Sequence, residues 1–244
     1  MEYFSGKKAV ILYGPPGSGK GTLASLLAKN FDFIHFDTGR YLGRLLANPA
    51  YRKDKIIQRE KKLFEKGILC TPAWVLKIVS QAARKIAAAD WGLVFSGSPR
   101  TILEAFGDPE GIASRSYGAG KKQTGLIKIL EKIYGRNNIF IFELKAKPQT
   151  SIKRNLTRVV CTVCGQPSLF LYTGKIPCCA VCAGPLEKRI DDDSKIIKTR
   201  LIEYQKRTQP IFKGLKKEGY QVIKIDGEPA PYKVFQKIVQ KIKV

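Results

Sequence analysis

The sequence predicts an α/β protein, a three-layer sandwich in which a five-stranded parallel sheet is covered on both faces by helices. Three observations carry this. Five short runs rich in β-branched and aromatic residues read as strands. Helical patterns alternate with them along the chain. The first apolar run ends in a glycine-rich loop of the kind that joins a buried strand to a helix.

In chain order, AVILYG (9–14) is the first strand, apolar throughout, as a strand buried on both faces must be. A helical pattern over 20–29 leads to FIHFD (33–37), the second strand. Helices are expected over 52–66 and 72–89, followed by LVFSG (93–97) as the third strand. Residues 104–125 carry five glycines and no period, and read as a surface loop. A helix over 124–134 precedes IFIFELK (139–145), and another is expected over 148–160. Residues 159–190 hold five cysteines among prolines and glycines and read as a small separate lobe. A helix over 193–208, the strand YQVIKIDG (220–227) and a helix over 231–242 complete the pattern. Ligands of such sheets sit beyond the carboxyl ends of the strands.

Across 244 residues, 44 Lys and Arg stand against 20 Asp and Glu, a net charge of +24. Such a field attracts nucleotides, nucleic acids and acidic surfaces alike, so charge alone selects no partner. No apolar run approaches the roughly 18 residues of a membrane span, and the N-terminus lacks the layout of a signal peptide. A cytoplasmic protein without membrane contact is expected. The lone Cys70 and both Trp74 and Trp91 are expected in the core, and His35, the single histidine, on a buried strand.

The stretch GPPGSGKGT (14–22) packs four glycines, two prolines and a lysine into nine residues. A tight turn needs one or two glycines. A backbone that wraps a bulky anion needs more, because its N–H groups must converge without side chains in the way. Gly14, Gly19 and Lys20 fit G-x-x-x-x-G-K, with Gly17, Ser18, Gly21 and Thr22 completing the loop. The helix that starts near Lys20 adds its positive end, and Lys20 a mobile charge for β- and γ-phosphates. The fold is therefore expected to be of the P-loop NTPase type.

With Gly21 between the lysine and Thr22, the loop resembles that of adenylate kinases and other nucleoside monophosphate (NMP) kinases. The resemblance continues through DTGRYL (37–42), GSPRT (97–101), RNLTR (154–158), RIDDD (189–193) and TRLIEYQKRTQP (199–210), in the family's order. It implies a core (1–38, 91–157, 191–244), an NMP-binding arm (39–90) and a zinc-binding lid (158–190). The implied reaction is reversible transfer of the ATP γ-phosphoryl group to an NMP, first of all AMP, with Mg2+, in a monomer.

Phosphoryl transfer needs alignment and charge neutralisation more than covalent chemistry. Arginine supplies both, since its planar fork grips phosphate oxygens in pairs. By resemblance Arg100 holds the NMP phosphate, and Arg158, Arg189 and Arg200 surround the transferring group. Arg154, four residues before Arg158 on one expected helix face, stacks on the ATP base. Asp191 and Asp192 orient these arginines, while Asp192 or Asp193 equally suits an N-cap.

The acceptor side, with Thr38, Arg40, Gly97, Arg100 and Glu104, departs from the family pattern. Arg40 stands where an aspartate is usual, and Gly43 where an arginine is. Ser96 replaces an aspartate, and Glu104 a glutamine that reads the base. Arg40 can reach the side that Gly43 leaves empty. Asp37 suits either an N-cap or a magnesium-bound water. Glu104 can only accept hydrogen bonds, which favours guanine over adenine.

Cys161-x2-Cys164 and, after fourteen intervening residues, Cys179-x2-Cys182 form a four-thiolate zinc pattern, with Cys178 as a competing ligand. The same charge and cysteines also suit a function of another class, a basic zinc-ribbon nucleic-acid binder. A nucleotide-binding relative with weakened catalysis is the third reading.

Overall fold

A computed structural model describes residues 7–108, 122–169, 174–188 and 192–242. Strand β1 (Ala9–Tyr13) is followed by α1 (Lys20–Asn30), β2 (Phe33–Phe36), α2 (Thr38–Ala47), α3 (Lys55–Glu65), α4 (Pro72–Ala88) and β3 (Gly92–Phe95). Helix α5 (Ile102–Phe106) and a two-residue pair, β4 (Gly107–Asp108) with β5 (Gln123–Thr124), precede α6 (Leu126–Tyr134) and β6 (Ile139–Lys145). Next come α7 (Pro148–Leu156), the strands β7 (Arg158–Cys161), β8 (Pro167–Leu169) and β9 (Leu186–Glu187), and α8 (Ser194–Glu203). A π-helical turn (Tyr204–Thr208) runs into α9 (Gln209–Lys217), β10 (Val222–Asp226) and α10 (Pro231–Ile242).

The main sheet has the order β10-β6-β1-β3-β2 and is parallel throughout. All five strands foreseen from the sequence are present. The alternation of side chains along β1 divides the core in two. Ala9, Ile11 and Tyr13 pack with Leu93, Phe95, Ile141 and the helices α4, α6 and α9. Val10 and Leu12 pack with Val94, Phe142, Leu144 and the helices α1 and α10. This is the three-layer arrangement expected. Gly92 is required by the packing, since a Cβ there would stand 2.5 Å from the Phe33 ring.

Several expectations are corrected. The helix expected over 148–160 ends at Leu156, and Arg158 opens β7 instead. Val159 and Val160 favour strand geometry, and β7 finds partners on both sides in β8 and β9. Residues 104–125 are not all loop: α5 reaches Phe106, and β4 pairs with β5 across two residues. The remainder of that stretch, 109–121, lies outside the described residues. The helix over 209–217 went unforeseen, because Pro210 reads as a breaker although it sits in the first turn. Trp74 packs against the core as expected, whereas Trp91, in the turn before β3, is 42% exposed. Among the described residues no helix is long and apolar enough to cross a membrane.

Candidate active site

Beyond the carboxyl ends of β1, β2 and β3 lies a cavity of about 830 Å3, lined by the glycine loop, α2, the 96–100 turn, Glu104, Arg154, Arg158 and Arg200. The loop reaches its shape through three glycines at positive φ: Gly14 (149°), Gly17 (77°) and Gly19 (93°). At Gly17 a Cβ would also stand 2.6 Å from the Ser151 carbonyl oxygen. Gly21 differs, since a Cβ there would meet no protein atom within 4 Å. The space it leaves belongs to the cavity.

Lys20 begins α1, and its Nζ donates to the carbonyl oxygens of Gly14 and Pro15, both at 2.7 Å. Burial holds its pKa well below the usual lysine range, with Arg100, Arg200 and Arg158 pushing the same way and Asp37 opposing. Three arginines separated by up to a hundred residues thus converge on one lysine. Arg100 Nε donates to Gly97 O at 2.7 Å, and the Arg100 carbonyl accepts from Thr208 Oγ1 at 2.9 Å, which ties the turn to the segment before α9.

Asp192 organises the other two. Its carboxylate takes Arg158 in a two-point grip, Nε at 2.9 Å and an Nη at 2.5 Å, and lies 4.0 Å from Arg200. Asp193 caps α8, accepting from the N–H groups of Lys195 and Ile196. The two roles left open in the sequence therefore fall on neighbouring residues. Arg189 and Asp191 lie outside the described residues. Arg154 is buried and donates to the carbonyl oxygens of Gly227 and Glu228, at 2.7 and 2.8 Å. Although Arg154 and Arg158 do not share a helix face, both line the cavity.

On the α2 side, Asp37 is an N-cap, accepting from the Arg40 N–H at 3.1 Å. Thr38 is buried, and its hydroxyl has no hydrogen-bond partner among the described residues. A buried orphan hydroxyl at a cavity wall is a place for a ligand. A Cβ on Gly97 would approach an Arg100 Nη to 3.1 Å, so this glycine leaves room for the guanidinium. His35 lies on the edge strand β2 and is half-buried, bonded through Nε2 to Ser96 Oγ (2.7 Å) and through Nδ1 to Ser25 Oγ (3.2 Å). Tyr13 was not singled out in the sequence. It ends β1 at the cavity wall, and its buried hydroxyl also lacks a partner among the described residues. An apolar strand gives no hint of this.

Glu104 lines the cavity and is 2% exposed. Its carboxylate accepts from the Arg100 N–H at 2.9 Å and from Thr101 Oγ1 at 3.0 Å, while the Glu104 N–H donates to Thr101 Oγ1. Thr101 thus caps α5, while the Glu104 carboxylate folds back on the N–H before the cap, a variant of the capping box that T-x-x-E at 101–104 signals in the sequence. Burial pushes the carboxyl pKa up to about 7, against the opposing pull of these hydrogen bonds and of Arg100.

In the small lobe, the Sγ atoms of Cys161, Cys164, Cys179 and Cys182 lie within 4.8 Å of one another. Cys178 stands outside this cluster. The Cys164 N–H points at Cys161 Sγ (3.5 Å) and the Val181 N–H at Cys179 Sγ (3.4 Å). The Cys164 N–H, with that of Val163, holds the Cys161 thiol down to about 6, and the Val181 N–H lowers Cys179. Four such sulfurs could hold a metal ion.

The AAA domain family matches residues 13–109. The chain is similar over most of its length to curated adenylate kinases. That of Borrelia garinii subsp. bavariensis is 30% identical over 206 residues, 83% of each chain. That of Caldicellulosiruptor bescii is 29% identical over 216 residues, 88% of this chain and 89% of its own. That of Magnetococcus marinus is 28% identical, over 86% of this chain and 90% of its own.

Proposed function

The chain belongs to the adenylate kinase family, an enzyme that transfers phosphoryl between ATP and a nucleoside monophosphate, and on that premise we propose that its acceptor is AMP and that the cavity is where transfer occurs. The observation that supports this best is the convergence of Arg100, Arg158 and Arg200 on Lys20 at the glycine loop. Four cations on one cavity suit a reaction in which a triphosphate and a monophosphate must be brought together against their mutual repulsion.

In this reading the loop from Gly14 to Thr22 cradles the ATP phosphates, and Lys20 leaves its two carbonyls for the β- and γ-phosphates. Asp192 holds Arg158 and Arg200 in place for the transferring group. Arg154 borders the ATP base, Arg100 meets the acceptor phosphate, and Thr38 satisfies its hydroxyl on the acceptor. Mg2+ bound with ATP would neutralise phosphate charge. The arm is 39–90, the lid 158–190 and the core the remainder, in a monomer that acts without nucleic acid. A coupled assay with ATP and Mg2+ against AMP, GMP, CMP and UMP tests the assignment. Preference for another acceptor refutes AMP, and salt-sensitive nucleic-acid binding without turnover refutes the enzyme.

The lid cysteines fit zinc. A tetrahedron with Zn–S bonds of about 2.3 Å has edges of about 3.8 Å. The Cys161–Cys182 and Cys164–Cys179 sulfurs are 3.5 and 3.7 Å apart.

A second acceptor is favoured by Glu104. With its carboxyl near pKa 7, ionisation changes what it offers a base. Above about 7 it only accepts, which suits the two adjacent donors of guanine. Below that it also donates, as adenine N1 requires. The kcat/KM ratio of AMP to GMP should therefore fall as pH rises from 6 to 8, by up to about tenfold for one hydrogen bond gained or lost. Glu104→Gln should flatten this dependence and favour AMP throughout. A ratio independent of pH in the parent protein would confine Glu104 to capping α5.

A further inference from the structure

Arg40 joins two parts of the cavity wall that are far apart in the chain. Its backbone is anchored in the first turn of α2 by Asp37. Its guanidinium lies against Gly165 of the cysteine lobe, where a Cβ on Gly165 would coincide with one Nη and stand 2.5 Å from Cζ. Gly165 is presented by the metal knuckle itself. Its φ is 71°, and its N–H donates to Cys161 O at 3.0 Å, closing the turn around the first cysteine pair. Any other residue there would be strained and would displace the guanidinium. Among the described residues no hydrogen bond or ion pair holds that guanidinium. The contact is therefore made end-on, with one Nη of the weakly hydrated guanidinium directed at the bare Gly165 backbone. Gly39 and Gly43 of α2, and Val160 and Pro167 of the lobe, line the same cavity.

We propose that Arg40 is a positioning residue that latches α2 onto the metal lobe, so that binding of either nucleotide strengthens binding of the other. This rests on the two-nucleotide reading above, in which the acceptor meets α2 and ATP meets the lobe. A contact that exists only when both walls are shut stabilises only the doubly closed state. Whichever nucleotide closes its own wall then presents half of the latch to the other. The coupling is reciprocal, as linkage requires.

Calorimetric titration of the full chain with AMP, and separately with GMP, tests this with and without a saturating non-hydrolysable ATP analogue and Mg2+. The parent protein should bind the monophosphate about fivefold tighter, or more, with the analogue present. That ratio should fall close to one in Arg40→Ala and in Gly165→Ala, and no further in the double variant. Arg40→Lys should restore only part of it, because a strongly hydrated ammonium would replace the weakly hydrated guanidinium at the bare backbone. If Gly165→Ala disturbs the knuckle, seen as lost metal, Arg40→Ala decides alone. A ratio of one in the parent protein overturns the latch. So does an Arg40→Ala variant that weakens the monophosphate equally with and without the analogue, which is the behaviour of a simple phosphate ligand. Failure of the parent protein to bind either nucleotide would overturn the kinase reading itself, and the latch with it.

Discussion

Lys20→Met is expected to lower kcat by about 100- to 1000-fold, the usual loss when one preorganised charge is removed from a transition state. The fold should not suffer. Lys20 is half-buried and faces the charges of Arg100, Arg158 and Arg200, and its lowered pKa means that the folded protein disfavours its charged form. Methionine fills a similar volume without that charge. It gives up three hydrogen bonds, to Gly14 O, Pro15 O and Ser18 Oγ, whose oxygens stay at a cavity that water can enter. The melting temperature should therefore stay within a few degrees of the parent, or rise. Turnover and melting of the purified variant check both halves. Activity within a few-fold of the parent, with the fold intact, would remove the phosphate-loop assignment.

Replacing Cys161 and Cys164 by serine should have the second large effect, loss of one bound zinc per chain and melting of the cysteine lobe. The strands β7, β8 and β9 have four, three and two residues. Of these, only Val159 and Cys161 are described as buried. A sheet so small cannot hold itself together. Structural zinc, with apparent binding free energies of about 10–16 kcal/mol in small zinc domains, can. Arg158, the first residue of β7, would lose its register against Asp192, so turnover should fall together with the metal. Amide exchange should report unprotected residues within 158–188 while β1, β3 and β6 stay protected. Protein purified without chelator and free of zinc, or a variant whose cysteine lobe stays protected, would refute this.

The sequence alone determined the sheet and the phosphate loop. Both are local: β1 is apolar at five consecutive positions, and the loop needs glycine where φ is positive, so composition and spacing carry the whole signal. The cysteine pairs were legible for the same reason, since a knuckle is a short turn. The tertiary structure alone decided what depends on partners distant in the chain. Arg158 belongs to a strand because β8 and β9 lie beside it, and it meets Asp192 because the lobe returns to the core. Asp192 and Asp193 look alike in sequence, yet one grips arginines and the other caps a helix, because successive residues point in different directions. Cys178 and Cys179 are separated likewise. Arg40 was legible as a displaced charge, but the backbone it rests on lies more than a hundred residues away. A guanidinium packed on a glycine leaves no spacing pattern to read, because the contact is made in space by two segments that are each locally ordinary.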